Sequence, residues 1–178
     1  MSDLDSLRYP VGRFERPTAP LGRAARAALI DAIERAPGDI RALVAGRSDA
    51  QLDTPYRPGG WTLRQVVHHV PDSHLNAYIR MKLALTEDTP AVKTYDETKW
   101  AELAEARTGP VEMSLALLES VHRRWVAFMR TLSDADFQRP LVHPEWGRID
   151  VDFLLAQYAW HGRHHAGHIR QGLGGGSR

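Results

Sequence analysis

The sequence predicts an all-α protein, a four-helix bundle with long irregular connections and an extended N-terminal arm. Four segments of similar length carry apolar residues spaced by three or four, the period of a helix that buries one face. No alternation of apolar and polar residues extends beyond about four positions, so we expect no sheet. A chain of 178 residues can bury the single core that such a bundle needs.

The chain is predicted to divide into an arm, one domain and a tail. Residues 1–20 contain three prolines, which favours an extended arm laid over the body instead of a regular element. Residues 21–171 would form the single bundle domain. Residues 172–178 include four glycines and are expected to be a helix stop followed by a flexible tail.

The first and third helices are recognised by their apolar spacing. The first should begin at about Leu21, and Pro37 with Gly38 should kink it or divide it into two short helices. The third should begin after Gly109 and Pro110. Its apolar seam alternates in steps of four and three, which is typical of a helix packed lengthwise in a bundle. The seam consists of Val111, Leu115, Leu118, His122, Trp125, Met129 and Leu132.

The second helix has a clear start signal. Thr62 and Gln65 form a capping box, in which each side chain accepts a hydrogen bond from the other residue's backbone N–H. The helix should continue to Thr86. Pro71 lies inside it and removes one backbone hydrogen bond, so we expect a bend in its first half.

The last helix, capped by Asp150, carries four of the nine histidines within eight residues. Histidine is the commonest metal ligand. His161 and His165 are four residues apart, so they lie one turn above the other, on the face that should point to the interior. His164 and His168 flank this pair. The pair could grip one metal ion, but an ordinary zinc site needs at least one more protein ligand.

The spacing leaves the third ligand open. His69 lies on a polar line bordering the apolar face of the second helix, whereas His68 should face solvent. His74 falls on the apolar face itself and is the second choice. His122 lies in the seam of the third helix and is better explained as an interior histidine held by hydrogen bonds. The loop residue His143 is the last candidate.

The same polar line suggests a pocket wall. It continues through Ser73, Asn76 and Arg80, although a solvated helix edge would have the same spacing. Arg80 suits a carboxylate on an acidic cosubstrate, with a plain surface charge as the alternative. Glu145 and Tyr95, from the connections, are candidates for proton transfer.

Composition excludes several classes of function. The net charge is only +1 and the basic residues are well mixed with acidic ones, so nucleic acid is not expected as a partner. No apolar run is long enough to span a membrane and no signal peptide is evident, so we expect a cytoplasmic protein. Only Glu119 and His122 form an E-x-x-H pair, which disfavours a di-iron bundle, and no H-E-x-x-H protease motif occurs.

Several segments together resemble the DinB superfamily, and within it the YfiT-like branch. The likeness covers nearly the whole chain to about residue 170, and the combination of segments is specific although each alone is weak. The segments are YPVGRF at 9–14, GWTLRQVVHHV at 60–70, DSHLN at 72–76, YDE at 95–97, HPE at 143–145 and YAWHGRHH at 158–165.

The resemblance implies a DinB-like four-helix bundle that holds one divalent metal ion per subunit, Zn²⁺ or Ni²⁺. Such proteins use one histidine of the second helix and an H-x-x-x-H pair of the last. Carried over to this sequence, the ligands are His69, His161 and His165. Pro71 departs from the family pattern, which would place a better helix former near His69. The resemblance also implies a homodimer.

The activity implied by the resemblance is metal-dependent hydrolysis or transfer of a low-molecular-weight thiol such as bacillithiol. Our leading prediction is a thiol S-transferase, in which the metal converts a small-molecule thiol to the thiolate that attacks an electrophilic substrate. The chain has no cysteine, which fits a thiol brought by a cosubstrate. The alternative is a hydrolase that uses metal-activated water on a hydrolysable substrate. A non-catalytic metal-binding bundle is the third, less favoured, prediction.

Overall fold

A computed structural model describes residues 3–174, with side chains from residue 5 onward. Among these residues, no helix combines the length and apolarity needed to cross a membrane. The helices are α1 (Asp3–Arg8), α2 (Arg23–Val44), α3 (Asp49–Leu52), α4 (Leu63–Thr86), α5 (Glu97–Ala101), α6 (Ala104–Thr108), α7 (Val111–Met129) and α8 (Val151–Gly172). A 3₁₀ turn (Asp136–Gln138) and strands β1 (Pro140–His143) and β2 (Gly147–Asp150) precede α8.

The four long helices form the predicted bundle. Helix α2 packs against α7 and α8, and α4 packs against the same two helices, so the four close into a ring. The predicted start signals are confirmed: Thr62 and Gln65 form the capping box of α4, and the Asp150 side chain accepts a hydrogen bond from the Phe153 N–H at the start of α8. Because α4 and α8 are neighbours, their histidines can meet in the interior.

A layer of histidines divides the apolar core into two clusters. One cluster contains Val70 of α4 and Ala166 of α8, and the other contains Ala77 and Ala159 of the same helices. The polar residues between these positions on both helices therefore face one another at the middle of the bundle. Burial of the two apolar clusters holds this layer in place.

The two helix prolines do not break their helices: of the two outcomes expected at Pro37, a kink or a division into two short helices, the division does not occur. Helix α2 is continuous through Pro37, and α4 is continuous through Pro71. A helix proline lacks the N–H that would bond to the carbonyl four residues earlier. For Pro37 that carbonyl belongs to Ile33, and it lies 2.6 Å from Nδ1 of His122 instead. A side chain thus supplies the hydrogen bond that the backbone lacks.

The expectation of no sheet is also wrong, because β1 and β2 form an antiparallel hairpin. Each strand has only four residues, which is too short for a readable alternation. Gly147 follows the loop with φ of 67°, the left-handed conformation that glycine adopts without strain and that three-residue hairpin loops favour. The loop places Glu145 and Trp146 beside the histidine layer of the bundle, where both line cavities.

The N-terminal arm lies over α8, and it contains a regular element that the sequence analysis did not expect, helix α1. Trp160 donates from its indole N–H to the Gly12 carbonyl at 3.1 Å. A Cβ on Gly167 would lie 2.8 Å from Cγ of Pro10, so only glycine permits this close approach. At the other end α8 includes Gly172, and residues 175–178 of the predicted tail lie outside the described residues.

Candidate metal centre

Three histidine side chains converge between α4 and α8. Nε2 of His161 lies 3.3 Å from Nε2 of His69 and 3.2 Å from Nε2 of His165. The three donor atoms all lie within 4.8 Å of one another. Nitrogens bound to one tetrahedral zinc ion at about 2.0–2.1 Å lie about 3.3–3.4 Å apart. The two measured separations match that spacing, so these residues fit a single metal ion.

The three imidazoles are suited to be ligands because they are neutral. Burial lowers the pKa of His69 to about 4, and it lowers the pKa values of His161 and His165 well below the ordinary value. The neighbouring histidines add to the effect, since a second positive charge is unfavourable nearby. A neutral ring keeps one nitrogen free of a proton, and this is the form that binds a metal.

A second group on α8, His164, His165 and His168, could also hold a metal ion, since its donor atoms satisfy the same 4.8 Å limit. It shares His165 with the first group. Nε2 of His168 is 3.1 Å from the Arg8 carbonyl, and Nδ1 of His168 is 3.4 Å from Nδ1 of His165. The ring of His164 stacks on Trp160, with centroids 4.4 Å apart.

The remaining candidate histidines are buried but do not belong to this convergence. His122 is confirmed as an interior histidine, 1% exposed and hydrogen-bonded to a backbone carbonyl. His74 lies between His161 and His122. The expected solvent exposure of His68 is wrong, because the segment containing α5 and α6 covers that side of α4. His68 contacts Ser114 and the Gly109 carbonyl, whereas the ring of His143 stacks on that of Trp146.

A cavity of about 620 Å³ opens onto the three converging histidines. Its size suits a small molecule. The arm and the connections before α4 and α8 supply most of its remaining wall, which is rich in aromatic and charged groups. Aromatic side chains come from Tyr9, Tyr56, Trp61, Trp146 and Trp160, and charged ones from Arg8, Arg57, Glu97 and Glu145.

A smaller cavity of about 110 Å³ also borders His161. Its wall brings together Ser73, Arg80, Tyr95 and Glu145, four residues that the sequence analysis singled out. The hydroxyl oxygen of Ser73 is 3.5 Å from Nε2 of His161. Asn76, the other residue predicted to line a pocket, does not line either of these two cavities.

Asn76 is absent from both cavity walls, and its amide forms a hydrogen bond within α4. Its amide nitrogen donates to the Asp72 carbonyl, one turn earlier in α4, at 2.9 Å. This one bond leaves the amide's second N–H and its oxygen unused, so what separates Asn76 from a ligand is its absence from both cavity walls. The spacing of three and four therefore identified the correct side of α4 for Ser73 and Arg80 but not for Asn76.

Arg80 is buried, which excludes the surface-charge alternative. Its guanidinium donates to the Lys93 carbonyl at 2.6 Å and to the Tyr158 hydroxyl at 3.4 Å, and Nε has no hydrogen-bond partner. The buried arginines Arg26 and Arg64 differ, because each pairs with two aspartates. Within residues 5–174 no carboxylate lies within 4.0 Å of the Arg80 guanidinium. It is thus the buried cation best placed to meet a ligand.

Glu97 is a residue that the sequence analysis missed. It begins α5 and lines both cavities. Although Glu97 is an exposed residue, partial desolvation raises its pKa above the ordinary value, and the nearby carboxylates of Glu145 and Asp96 raise it further. A carboxylate with a raised pKa in a cavity is suited to proton transfer near neutral pH. Its YDE segment resembles the family, but no local pattern in the sequence indicates a role for this glutamate.

Tyr95, the other candidate for proton transfer, lines the smaller cavity with its hydroxyl buried. Burial raises the pKa of its hydroxyl well above the ordinary value. A phenol that keeps its proton this firmly is a hydrogen-bond donor at neutral pH and a poor acid. Its place in the wall of the smaller cavity fits a role in holding a ligand.

Comparison with known proteins identifies the family of this bundle. Residues 32–169 match the family model described as the DinB superfamily, which is more than half of the chain. The chain belongs to the DinB superfamily. The resemblance found in the sequence is therefore confirmed, and so is the four-helix bundle.

Close relatives place the chain in the YfiT-like branch. It is 45% identical over 167 residues to a Bacillus subtilis protein named "Putative metal-dependent hydrolase YfiT", covering 93% of each chain. A similarly named Bacillus licheniformis protein is 46% identical, over 94% of this chain and 95% of that one. The solved structure of YfiT from Bacillus subtilis superposes with a TM-score of 0.91 at 44% identity, over 94% of this chain and 95% of the other. It is described as having "an unusual four-helix bundle topology".

Proposed function

We propose that this DinB superfamily member is a metal-dependent hydrolase of small molecules, with one divalent ion held by His69, His161 and His165. The observation that carries the proposal is the convergence of three neutral imidazole nitrogens in the wall of a cavity of about 620 Å³. The names of the relatives support hydrolysis more than thiol transfer. Imidazole ligands accept zinc and nickel alike, and both remain predictions.

An ion with three protein ligands and an open position supplies Lewis-acid chemistry, since it polarises a carbonyl oxygen and lowers the pKa of water. The protein's own groups would orient the reactants around it. Ser73, Tyr95 and Arg80 line the smaller cavity and present hydroxyl and guanidinium donors. These donors would hold an oxygen of the substrate next to His161. Asn76, whose amide is already bonded to Asp72, has no part in this proposal.

Glu97 would serve as the general base and Glu145 as the group that tunes it. Both carboxylates line the two cavities, and each cavity also includes His161. The charge of Glu145 contributes to the raised pKa of Glu97. This arrangement keeps the Glu97 carboxylate ready to accept a proton from an attacking water.

The roles of the two glutamates predict different pH profiles. Replacing Glu97 by glutamine should lower kcat by about 10²–10⁴-fold, the range for loss of a general base. Replacing Glu145 by glutamine removes a negative charge near Glu97, so the Glu97 pKa falls. A base works only when deprotonated, so the acidic limb of kcat/KM should move to lower pH in the Glu145→Gln variant. If Glu97→Gln stayed fully active and the acidic limb of kcat/KM did not move in Glu145→Gln, another residue would be the base.

Thiol transfer at the same centre is the second candidate. Arg8 and Arg57 line the larger cavity and would suit an acidic thiol cosubstrate such as bacillithiol. The chain itself has no cysteine, so the thiol would come from that cosubstrate. The homodimer and the cytoplasmic location stay predictions alongside it.

A single assay separates the two candidates. Chelator-treated protein is reloaded with zinc or nickel and tested on p-nitrophenyl acetate, p-nitrophenyl phosphate and a p-nitroanilide, with and without bacillithiol. A hydrolase releases product in a metal-dependent reaction that needs no thiol. Product release, or conjugation of 1-chloro-2,4-dinitrobenzene, that occurs only with the thiol would replace hydrolysis by thiol transfer.

A further inference from the structure

We propose that two chains of buried histidines, each ending on a backbone carbonyl, fix the ring tautomers of His161 and His165. The members of these chains outside the metal site are His74, His122 and His168, which are thus positioning residues. The inference rests on the proposed metal site, and it goes beyond that site by assigning a role to histidines that touch no metal.

The first chain runs from α2 to His161. The Ile33 carbonyl can only accept, so Nδ1 of His122, at 2.6 Å, carries the proton. The other nitrogen of a neutral His122 then accepts from Nδ1 of His74 at 2.8 Å. Nε2 of His74 in turn accepts from Nδ1 of His161 at 3.0 Å. The carbonyl therefore sets the direction of every hydrogen bond in the chain, and Nε2 of His161 is left with a free lone pair.

Pro37 supplies the anchor of this chain. Since proline has no N–H, the Ile33 carbonyl one turn earlier lacks its helical partner and is free to accept from His122. The proline that the sequence analysis treated as an interruption of α2 thereby fixes the first proton of the chain.

The second chain is shorter and runs from α1 to His165. Arg8 is the last residue of α1, where helix carbonyls have no partner within the helix. The Arg8 carbonyl oxygen accepts a hydrogen bond from Nε2 of His168 at 3.1 Å. Nδ1 of His168 then accepts from Nδ1 of His165 at 3.4 Å, and this leaves Nε2 of His165 with a free lone pair.

The two chains of histidines meet at the proposed metal site, and the hydrogen bonds of both run away from it, toward a backbone carbonyl. The free nitrogens of His161 and His165 lie 3.2 Å apart, and each ring already has its proton on the far side. Two lone pairs facing one another at this distance repel, and a cation between them removes the repulsion. The chains thus present both nitrogens in the form that a metal ion needs.

The first test reads the tautomers directly. Two-bond ¹H–¹⁵N spectra of protein labelled in its histidine rings show which nitrogen of each ring carries the proton, and single substitutions assign the signals. In the metal-free and the zinc-loaded protein we expect the proton on Nδ1 of His74 and His122 and on Nε2 of His168. A proton on Nε2 of His74 would overturn the inference. A protein that binds no zinc but shows these tautomers would overturn the proposed function alone.

The second test measures affinity for zinc by competition with a chromophoric chelator. His74→Leu and His168→Leu should each weaken zinc binding by about 10–100-fold, the usual range for groups that orient a metal ligand. His74→Gln should recover part of the loss, because an amide can both donate and accept. The matched control is His68→Leu, another buried α4 histidine bonded to a carbonyl but connected to neither chain. It should change thermal stability and leave zinc affinity unchanged.

Combined substitutions distinguish a chain from general packing. His74→Leu already cuts the first chain, so adding His122→Leu should weaken zinc binding little further. Adding His168→Leu to His74→Leu cuts both chains, so the two losses should multiply. Two outcomes would show that the histidines act only through packing. One is that the losses of zinc affinity multiply to the same extent in both double variants. The other is that His68→Leu loses as much affinity as His74→Leu. Melting temperatures of the metal-free variants identify any that fail to fold.

Discussion

Replacing His161 by alanine is expected to weaken zinc binding by more than about 100-fold and to abolish metal-dependent hydrolysis. Its Nε2 is the atom that lies within 3.3 Å of both other proposed ligands. Without it, His69 and His165 form only a two-ligand site, and the chain through His74 loses the ring that it orients. Elemental analysis of the purified variant and chelator competition measure the loss.

His164→Ala is the matched control for this prediction. His164 lies on the same helix, is also buried, and has an unpartnered Nδ1, but it does not belong to the proposed ligand set. Its loss should leave the metal content near one ion per chain. If His164→Ala lost the ion while His161→Ala retained it, the ion would belong to the group formed by His164, His165 and His168.

Replacing Asp152 by alanine is expected to lower the free energy of unfolding by about 3–5 kcal/mol, the range for breaking a buried ion pair. Asp152 is 2% exposed and accepts from Arg26 at 2.7 and 2.9 Å. It also accepts from the Leu21 N–H at 3.0 Å and from Gln138 at 2.7 Å. The substitution leaves the buried Arg26 guanidinium with only Asp134 as a partner, and it leaves two further donors unsatisfied where α2, the 3₁₀ turn and α8 meet. Urea unfolding measures the change.

Asp134→Ala is the control for the ion pair. Asp134 also contacts Arg26, at 2.6 Å, but its side chain is 68% exposed, so water screens the interaction. We expect a loss of less than about 1 kcal/mol. Equal effects of the two substitutions would mean that burial does not govern the strength of this network.

The four bundle helices and the histidine pair could be predicted because their signals are local. Helix period, capping residues and a spacing of four depend only on neighbours in the chain, and the structure confirms the helices that they indicated. Periodicity also placed His69 and Ser73 on the correct side of α4. The choice of His69 over His74 needed the family resemblance, because both lie close to the interior face.

The features that were missed depend on tertiary contacts. His68 was expected in solvent, but the segment containing α5 and α6 covers it. Pro37 was expected to interrupt α2, but the carbonyl that it frees is bonded by His122, from a distant helix. Glu97 becomes a candidate base because partial desolvation and Glu145 raise its pKa. No neighbour in the sequence reveals any of these contacts.

The most direct test of the proposed metal centre is a crystal structure of the zinc-loaded protein, with anomalous difference maps recorded on both sides of the zinc absorption edge. We predict one strong peak per chain, at about 2.0–2.1 Å from Nε2 of each of His69, His161 and His165. A peak among His164, His165 and His168, or no peak in a protein that is active without metal, would contradict the assignment.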